Sequence, residues 1–391
     1  MTSATNVDTS GFEQALSRLV PSVIDETIRV TEIPAPTFRE GVRAEYVRRR
    51  FEEIGGWDDV TMDSMSNVVA VRLGEPGRAR ILACAHLDTV FPDEATPVTK
   101  SRGRLTGRGV GDNSLGVASV LGLAQALKTN APEGIGDLIL ATNVGEEGRG
   151  DLRGVKRILK DYAGQFDAMI AVEGHALNRI QLHGVASLRY EISVATDGGH
   201  SWGAYGRPNA IALLARAITA IESLMPEPGE EPRSSMNVGV IHGGRSVNTI
   251  APEATIELDI RSVDPSRVST LLRSVRSAMR AAVGEEGEMA FRRIGNRPGG
   301  SIEEDHPLVR AAIDARSGLD LPDFEFNAGS TDANAALDAG YAATCVGITS
   351  GGEPHTPREW ISTAPISAGV PYLGRTIANA ARFAREDVAR R

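Results

Sequence analysis

The chain has 391 residues, with 42 basic and 51 acidic side chains and a formal net charge of −9. A polyanionic partner requires a concentrated basic face, so this charge balance argues against nucleic acid as a ligand. No apolar stretch approaches the roughly 20 residues that cross a bilayer, which argues against membrane insertion. A hydrophobic content of 41% is typical of a globular protein with a large core.

The cysteines and the amino-terminal residues indicate the cellular compartment of the protein. Cys84 and Cys345 each lie in an apolar, strand-like run, so we expect buried free thiols and no disulfide. Residues 1–10 are polar and small and do not follow the pattern of a secretory signal. Together these features predict a cytoplasmic location.

The first half of the chain alternates between predicted helices and strands. The apolar spacing predicts helices at 11–31, where Pro21 would cause two short helices or a kink, at 37–55, opened by a capping box of Thr37 and Glu40, and at 115–127. Apolar runs predict strands at 67–73, 79–85, 138–144 and 168–172. Continuous apolar strands between helices are typical of an α/β fold with a mixed, mainly parallel sheet covered by helices on both faces.

The pattern changes after about residue 183. Residues 188–194 and 255–260 alternate between apolar and polar, as in a sheet with one covered face, and helical patterns lie at 210–224 and 265–283. The first pattern then returns, with a helix after Pro307, a strand at 341–348 and a helix from about Pro365. The chain is therefore predicted to form a discontinuous catalytic domain (1–183 and 299–391) with an inserted α+β domain (184–298).

Acidic and histidine residues lie where the predicted strands end or the predicted helices begin. They are His86 and Asp88 after the strand at 79–85, Asp112 before the helix at 115–127, Glu146 and Glu147 after the strand at 138–144, Glu173 after the strand at 168–172, and His355 in a Gly- and Pro-rich loop. Loops at the carboxyl ends of parallel strands meet in one crevice. Carboxylates gathered there would repel one another unless cations balance them.

The residue types indicate which cations would fit. Histidine together with carboxylate suits zinc, with manganese or cobalt as alternatives, and a cluster this acidic has room for two divalent ions. Each residue also has a structural interpretation. His86 could be a hydrogen-bonded core histidine, Glu146 and Glu147 a solvated loop pair, and Asp112 a helix cap. Their coincidence at one predicted sheet edge favours the metal site.

These motifs resemble, in content and order, a family of co-catalytic metallohydrolases. The family includes carboxypeptidase G, peptidase T, acetylornithine deacetylase, succinyl-diaminopimelate desuccinylase and aminoacylase. The resemblance implies that one ion is held by His86, Asp112 and Glu173. It implies that the other is held by Asp112, Glu147 and His355, so that Asp112 bridges the pair.

The same resemblance implies two further roles beside the ligands. Asp88 matches a carboxylate that orients the ring of His86. Glu146 matches the general base that takes a proton from water and delivers it to the departing amine. Asp112 is followed here by Asn113 and Ser114, where many peptidases of the family have Asp, Met or Cys and then Lys, so the resemblance does not define the substrate.

The inserted domain carries a second resemblance, to the family's lid or dimerisation domain. His200, within the run at 196–201, matches a histidine that reaches a partner subunit's site and stabilises the oxyanion, which implies a homodimer. Asn248 and Arg261 match substrate contacts, and the guanidinium of Arg261 suits a carboxylate. Asn248 could also be an ordinary turn residue, and Arg261 an ordinary residue near a strand end.

The sequence thus predicts a two-metal hydrolase that cleaves the C–N bond of a small peptide or N-acyl amino acid. Hydrolytic release of an amine from a non-peptide, even aromatic, substrate by the same site is the alternative within enzymes. Outside enzymes, the residues would also allow an inactive binding module on the same scaffold or a purely structural acidic cluster. The intact set of ligands and the presence of Glu146 favour an enzyme.

Overall fold

The computed structural model describes residues 10–92 and 94–389 of the chain. The helices are α1 Ser10–Glu32, α2 Gly41–Ile54, α3 Leu115–Asn130, α4 Arg153–Asp161, α5 Ala210–Glu222, α6 Pro265–Val283, α7 Pro307–Asp314, α8 Ala333–Asp338, α9 Ile366–Ala380 and α10 Arg385–Val388. The strands are β1 Asp59–Met62, β2 Val68–Arg72, β3 Ile81–His86, β4 Thr99–Ser101, β5 Arg104–Thr106, β6 Leu138–Asn143, β7 Ala168–Glu173, β8 Arg179–Gly184, β9 Ala186–Ala195, β10 Gly199–His200, β11 Ser234–Gly243, β12 Thr249–Ile250, β13 Glu253–Ser262, β14 Glu288–Arg297, β15 Gly300–Ser301, β16 Glu325–Gly329, β17 Ala342–Gly347, β18 Gly351–Gly352 and β19 Trp360–Ser362.

The chain divides into two units. The first contains the residues up to Gly184 and those from Ser301 onward, and the second is Val185–Gly300. The boundaries predicted at 183 and 298 precede these division points by one and two residues. The two chain segments of the first unit join in one sheet, because β17 pairs with β7.

The first unit is built on a mixed sheet in the order β1-β2-β6-β3-β7-β17-β8-β15, with β16 beside β8. Its centre, from β6 through β3 and β7 to β17, is parallel. The pairs β1–β2, β2–β6 and β17–β8 are antiparallel. This topology confirms the predicted α/β fold.

Helices cover both faces of this sheet. Along β3, Ile81 and Ala83 pack into the core formed with α1, α2, α3, α7 and α9, whereas Leu82 and Cys84 pack against α4 and α8. The alternation follows from the two-residue period of a strand, and a strand buried on both faces has to be apolar throughout. Burying each large apolar side chain contributes about 1.5–3 kcal/mol, which holds the central strands in register.

At the amino terminus, the structure excludes the two short helices that were one of the alternatives predicted around Pro21, and it corrects the predicted capping box. The segment around Pro21 forms the one helix α1, with Pro21 inside it. Pro21 is exposed, while the opposite face of α1 is buried in the core, and that burial maintains the helix despite the missing N–H. The predicted capping box does not form: Thr37 donates to Asp88 (2.9 Å), and Glu40 accepts from the N–H of Phe38 (3.0 Å).

A small four-stranded sheet, β18-β19-β5-β4, was not predicted. Its strands have only two or three residues each, too few for a periodic pattern. The sheet brings the loop after β5 next to the segment before β19, and both of these segments carry predicted ligands.

The second unit is an antiparallel sheet in the order β11-β13-β9-β14, with α5 and α6 packed on it. Alternate residues of β13, from Ala254 to Ile260, are buried, as predicted for one covered face. Asn209 and Asp264 cap the two helices by accepting backbone N–H bonds.

Two findings concern membranes and thiols. Among the described residues, no helix has both the length and the apolar character needed to cross a bilayer.

Cys84 and Cys345 are buried and free, which confirms the prediction made for them. Burial raises the pKa of both thiols well above its usual range.

Candidate metal centre

The predicted ligands emerge at one edge of the large sheet. His86 is the last residue of β3 and Glu173 the last residue of β7, and these two strands are parallel neighbours. Glu147 follows β6, the parallel neighbour of β3 on its other side. Asp112 lies in the loop before α3, and His355 lies between β18 and β19. The parallel pairing therefore places three of the five at the same edge by backbone geometry alone.

The side chains form two groups that share Asp112. Nε2 of His86 lies 3.0 Å from Oδ1 of Asp112 and 3.8 Å from Oε1 of Glu173. Nε2 of His355 lies 3.1 Å from Oδ2 of Asp112 and 3.1 Å from Oε1 of Glu147. In each group, all ligand atoms lie within 4.8 Å of one another. The two oxygens of Asp112 thus face two different imidazoles, which is the arrangement of a bridging carboxylate.

Hydrogen bonding shows that these residues fit a cation. Nδ1 of His86 lies 3.0 Å from the backbone oxygen of Asp88, and its N–H donates there. The lone pair on Nε2 then faces the carboxylates of Asp112 and Glu173, which is unfavourable unless a proton or a cation lies between. Oε1 of Glu147 is buried, and its polar neighbour among the described residues is Nε2 of His355 at 3.1 Å, which faces Asp112 at the same distance. Imidazole and carboxylate donors of this kind suit zinc, manganese or cobalt.

The directions of the pKa shifts also indicate that the cluster favours positive charge. Burial lowers the pKa of His86, but its hydrogen bonds with Asp112 and Asp88 outweigh this and raise the net pKa well above its usual range. Hydrogen bonds with Asp112 and Glu147 raise the pKa of His355 to about 10. Burial, together with the charges of neighbouring carboxylates, raises the pKa of Glu173 well above its usual range. Protons are drawn to the cluster because its carboxylates lack compensating charge.

Asp88 contacts the ring of His86 and also the backbone of the two glutamates. Its backbone oxygen, at 3.0 Å, accepts from the ring of His86, whereas its carboxylate Oδ1 lies 3.7 Å from the same nitrogen. The carboxylate accepts the N–H groups of Glu146 and Glu147, each at 2.9 Å, and the hydroxyl of Thr37. Asp88 is fully buried, so these bonds fix the backbone that carries both glutamates.

Glu40 extends this backbone anchor by one residue. Its Oε1 accepts the N–H of Gly145 at 3.0 Å, and its other oxygen is 3.2 Å from the guanidinium of Arg153. Three successive N–H groups, those of residues 145–147, are therefore donated to the buried carboxylates of Glu40 and Asp88. Glu146 is itself 5% exposed, and its charge contributes to the raised pKa of Glu173, so it lies close to the metal groups.

Two predicted contacts of the inserted unit lie close together. His200 pairs with Thr249 in the β10–β12 ladder, and the N–H of Ser201 donates to the backbone oxygen of Asn248 (3.0 Å). Nδ1 of His200 accepts the N–H groups of Trp202 (3.2 Å) and the following glycine (3.3 Å). These bonds assign the hydrogen of the neutral ring to Nε2, which makes the exposed edge of His200 a donor.

Arg261 lies apart from that pair. It pairs with Ser187 at one end of β13, whereas Glu253, at the other end, is eight residues or about 27 Å away. The ladder of His200 lies near the Glu253 end, because the N–H of Thr196 donates to the oxygen of residue 252 (2.8 Å). The guanidinium of Arg261 is bound to Asp259 at 2.6 Å. Within this unit, the structure does not bring Arg261 to the neighbourhood of His200.

Two buried acidic residues were not predicted as part of the site. Asp332 accepts from Nδ2 of Asn143 (2.8 Å), and its charge contributes to the raised pKa of Glu173. Glu359 accepts backbone N–H groups of the loop that carries Asp112. The only signal for Glu359 was its position four residues after His355, at the start of an apolar strand.

The fold and the clustered donors define the class of metal-dependent hydrolases. Residues 82–379 match the family model described as peptidase family M20/M25/M40. This match covers more than half of the chain, and the protein belongs to that family.

Similar proteins include deacetylases and a peptidase. An N-acetyl-L-citrulline deacetylase of Xanthomonas campestris is 28% identical over 329 residues, which cover 81% of this chain and 85% of the relative. An acetylornithine deacetylase of Myxococcus xanthus is 27% identical over 293 residues, covering 68% and 74%. The crystal structure of a tripeptidase from Staphylococcus aureus matches with a TM-score of 0.79 at 20% identity, covering 93% of this chain and 99% of that one. The structural match shows a shared fold.

Proposed function

We propose that the protein is a two-metal hydrolase that cleaves the amide C–N bond of a small peptide or N-acyl amino acid. The observation that supports two ions is the contact of the two Asp112 oxygens with different histidines, each of which also faces a second carboxylate. Deacetylases and a tripeptidase among the similar proteins support an amide as the scissile group, because both reactions hydrolyse a C–N bond.

The ligand sets follow from the two groups. His86, Asp112 and Glu173 would hold one divalent ion, and Asp112, Glu147 and His355 would hold the other. We propose zinc as the native metal, with manganese or cobalt as alternatives. When bound, such ions supply Lewis acidity and lower the pKa of a water molecule.

Glu146 would move the proton in this reaction. Its carboxylate would take the proton from the attacking water and deliver it to the departing nitrogen. The backbone N–H of Glu146 donates to Asp88, so the backbone that carries the base is fixed before substrate binds. A separate anchor for Glu147, on the other oxygen of Asp88, lets adjacent glutamates serve as base and as ligand.

The inserted unit would supply substrate contacts. His200 presents a fixed Nε2–H donor, which suits stabilisation of a developing oxyanion, and Asn248 is tied to the same short ladder. For Arg261, a contact with a substrate carboxylate stays a prediction, and it would require the guanidinium to exchange its present partner Asp259.

We propose that the chain forms a homodimer through the inserted unit. In support, this unit exposes Trp202, Tyr205 and Val247 at 89%, 90% and 103% of their reference areas. They lie on two segments joined by the hydrogen bond from Ser201 to Asn248, and exposed apolar side chains that lie together are typical of an interaction surface. Light scattering should give twice the chain mass, and an active monomer would contradict the proposal.

We propose a cytoplasmic location, which the two buried free thiols support. Fractionation of the native cells should recover the protein with a cytoplasmic marker. Recovery with the secreted fraction would contradict the proposal.

The test of the function is a substrate screen on protein reconstituted with zinc, manganese or cobalt. Dipeptides, tripeptides, and N-acetyl and N-succinyl amino acids should include hydrolysed substrates, and a chelator should abolish turnover. Release of ammonia from aryl amines alone would overturn the substrate class and favour amine release from a non-peptide. A protein that binds no metal under any condition would overturn the two-metal assignment.

A further inference from the structure

Glu359 contacts the loop that carries Asp112. Its Oε1 accepts the N–H groups of Gly111 (2.7 Å) and Asp112 (2.8 Å), and its Oε2 accepts that of Gly109 (3.1 Å). The backbone oxygen of Glu359 also accepts the N–H of Gly107 at 2.9 Å. Four N–H groups within six residues of loop therefore bind to this one residue.

Strand pairing explains why Glu359 reaches this loop. Trp360 pairs with Thr106, so the residue before β19 lies beside the residues that follow β5. At Gly111, a Cβ atom would lie 2.8 Å from Ile361 and 3.3 Å from the Glu359 carboxylate, so glycine permits the close approach. The carboxylate is 1% exposed and cannot exchange these donors for water.

Glu359 is also linked to the loop that carries the ligand His355. The N–H of Glu359 donates to the backbone oxygen of Thr356 at 3.1 Å, which closes a turn directly after His355. The segments that carry Asp112 and His355 are thus joined at one buried residue, through the carboxylate of Glu359 on one side and its backbone N–H on the other. These two residues also face each other, with Nε2 of His355 at 3.1 Å from Oδ2 of Asp112.

We propose that Glu359 is a positioning residue for the metal centre, which sets the backbone of Asp112 so that both of its oxygens can ligate. This inference rests on the two-metal function proposed above. Because Asp112 belongs to both ligand groups, a displacement of its backbone would weaken both ions together. Loss of a residue that positions a ligand of only one group would weaken one ion.

The test uses cobalt(II) as the probe, with the visible spectrum and a titration reporting affinity and stoichiometry. Glu359→Ala leaves three N–H groups without their acceptor, and we expect a fall of about 10- to 100-fold in affinity for both ions. Glu359→Gln keeps one oxygen but places an amide N–H₂ group against a backbone N–H. We expect it to lose less affinity than Glu359→Ala does, which amounts to partial rescue by the closer analogue.

Asp167→Asn is the matched control. Asp167 is also buried and also accepts a backbone N–H, from Arg80 at 3.0 Å, but it precedes β7, at the opposite end of the strand from Glu173. This control should lower thermal stability and leave the cobalt spectrum and affinity unchanged. It therefore separates loss of stability from loss of metal geometry.

The outcomes are distinguishable. A Glu359→Ala or Glu359→Gln protein that binds two cobalt ions with the spectrum and affinity of the wild type would overturn the positioning role. The same result follows if one ion alone is weakened, because the proposal requires both to change. A wild-type protein that binds none of cobalt, zinc and manganese would overturn the proposed function itself, and the inference with it; if zinc or manganese binds and cobalt does not, the same titrations are made with that metal.

Discussion

The two halves of the metal centre differ in how they are held. His86 is 1% exposed and ends a central strand, whereas the side chain of His355 is 53% exposed and lies in a loop. Glu173, the partner of His86, also ends a central strand, while Glu147, the partner of His355, lies in a loop fixed by Asp88. After the exposure of their histidines, we call these groups the buried half and the open half; Glu147 is itself buried, and Asp112 belongs to both groups.

This difference shows which interactions hold the ligands of each half in place. The geometry of the buried half follows from parallel strand pairing and from a core packed on both faces, which together fix the positions of His86 and Glu173. The open half depends on hydrogen bonds of its loops: the N–H of Glu147 donates to Asp88, and the N–H of Glu359 donates to the oxygen of Thr356 beside His355. The buried half should therefore bind its ion more tightly, and the open half should exchange its ion more readily.

The largest expected effect is on turnover, with both halves intact. Glu146→Gln removes the base but keeps the backbone N–H that donates to Asp88, so kcat should fall by about 10²- to 10⁴-fold. Metal content, measured by elemental analysis, should stay at the wild-type value. Glu133→Gln, at an exposed glutamate outside the site, is the control. An unimpaired Glu146→Gln enzyme would contradict the assignment of the base.

The comparison itself is tested by removing one histidine from each half. His86→Ala should lower the affinity of the protein for the ion of the buried half by more than about 100-fold, because no water can replace a ligand in a buried site. This exceeds the effect that is usual for a residue that only orients a ligand. His355→Ala should lower the affinity for the ion of the open half by about 10- to 100-fold, since solvent reaches the position of His355. Titration with zinc measures both, and His183→Ala, at an exposed strand residue, is the control. Equal losses would remove the distinction between the halves.

Chelation should separate the halves in time. A strong chelator should remove the two ions in two kinetic phases, because His355 is half exposed and His86 is buried. His355→Ala should accelerate the fast phase and leave the rate of the slow phase unchanged. A single phase for both ions in the wild-type protein would contradict the difference in access.

The smallest effect concerns the opposite end of β7, where arginines balance a carboxylate. Burial raises the pKa of Asp167, but bonds from Arg80 and Arg385 outweigh this and lower the net pKa. Asp167→Asn should lower the free energy of unfolding by about 1–3 kcal/mol at neutral pH.

The pH dependence of that effect has a defined sign. The folded-state pKa of Asp167 is depressed, so its stabilisation is complete above the unfolded value of about 3.9 and is lost as the pH falls through the folded value. Denaturant unfolding should therefore show the difference between wild type and Asp167→Asn shrinking below about pH 4. A difference that persists there would contradict the ionic origin.

The buried half could be predicted because its signal is local. An apolar run that ends in His86 or Glu173 indicates both a buried strand and a polar residue at the end of that strand, and parallel pairing then brings the ends together. The central strands and the division of the chain were predictable for the same reason, since each depends on the period of nearby residues.

The contacts that fix the loops of Asp112 and Glu147 could not be predicted in this way. Glu359 and Gly109 are 250 residues apart in sequence, and the strands that join them have three residues each. At Thr37 and Glu40, the residue types of a capping box are present, but both side chains bond to other groups. Which acceptor a buried N–H group finds depends on tertiary packing, which one sequence does not display.

The most direct test of the two-metal centre is a crystal structure of the zinc-reconstituted protein with anomalous scattering. We expect two zinc peaks about 3.5–4 Å apart, one beside His86 and Glu173, the other beside Glu147 and His355, with Asp112 touching both. A single peak, or zinc bound away from Asp112, would contradict the bridging role on which the proposed function rests.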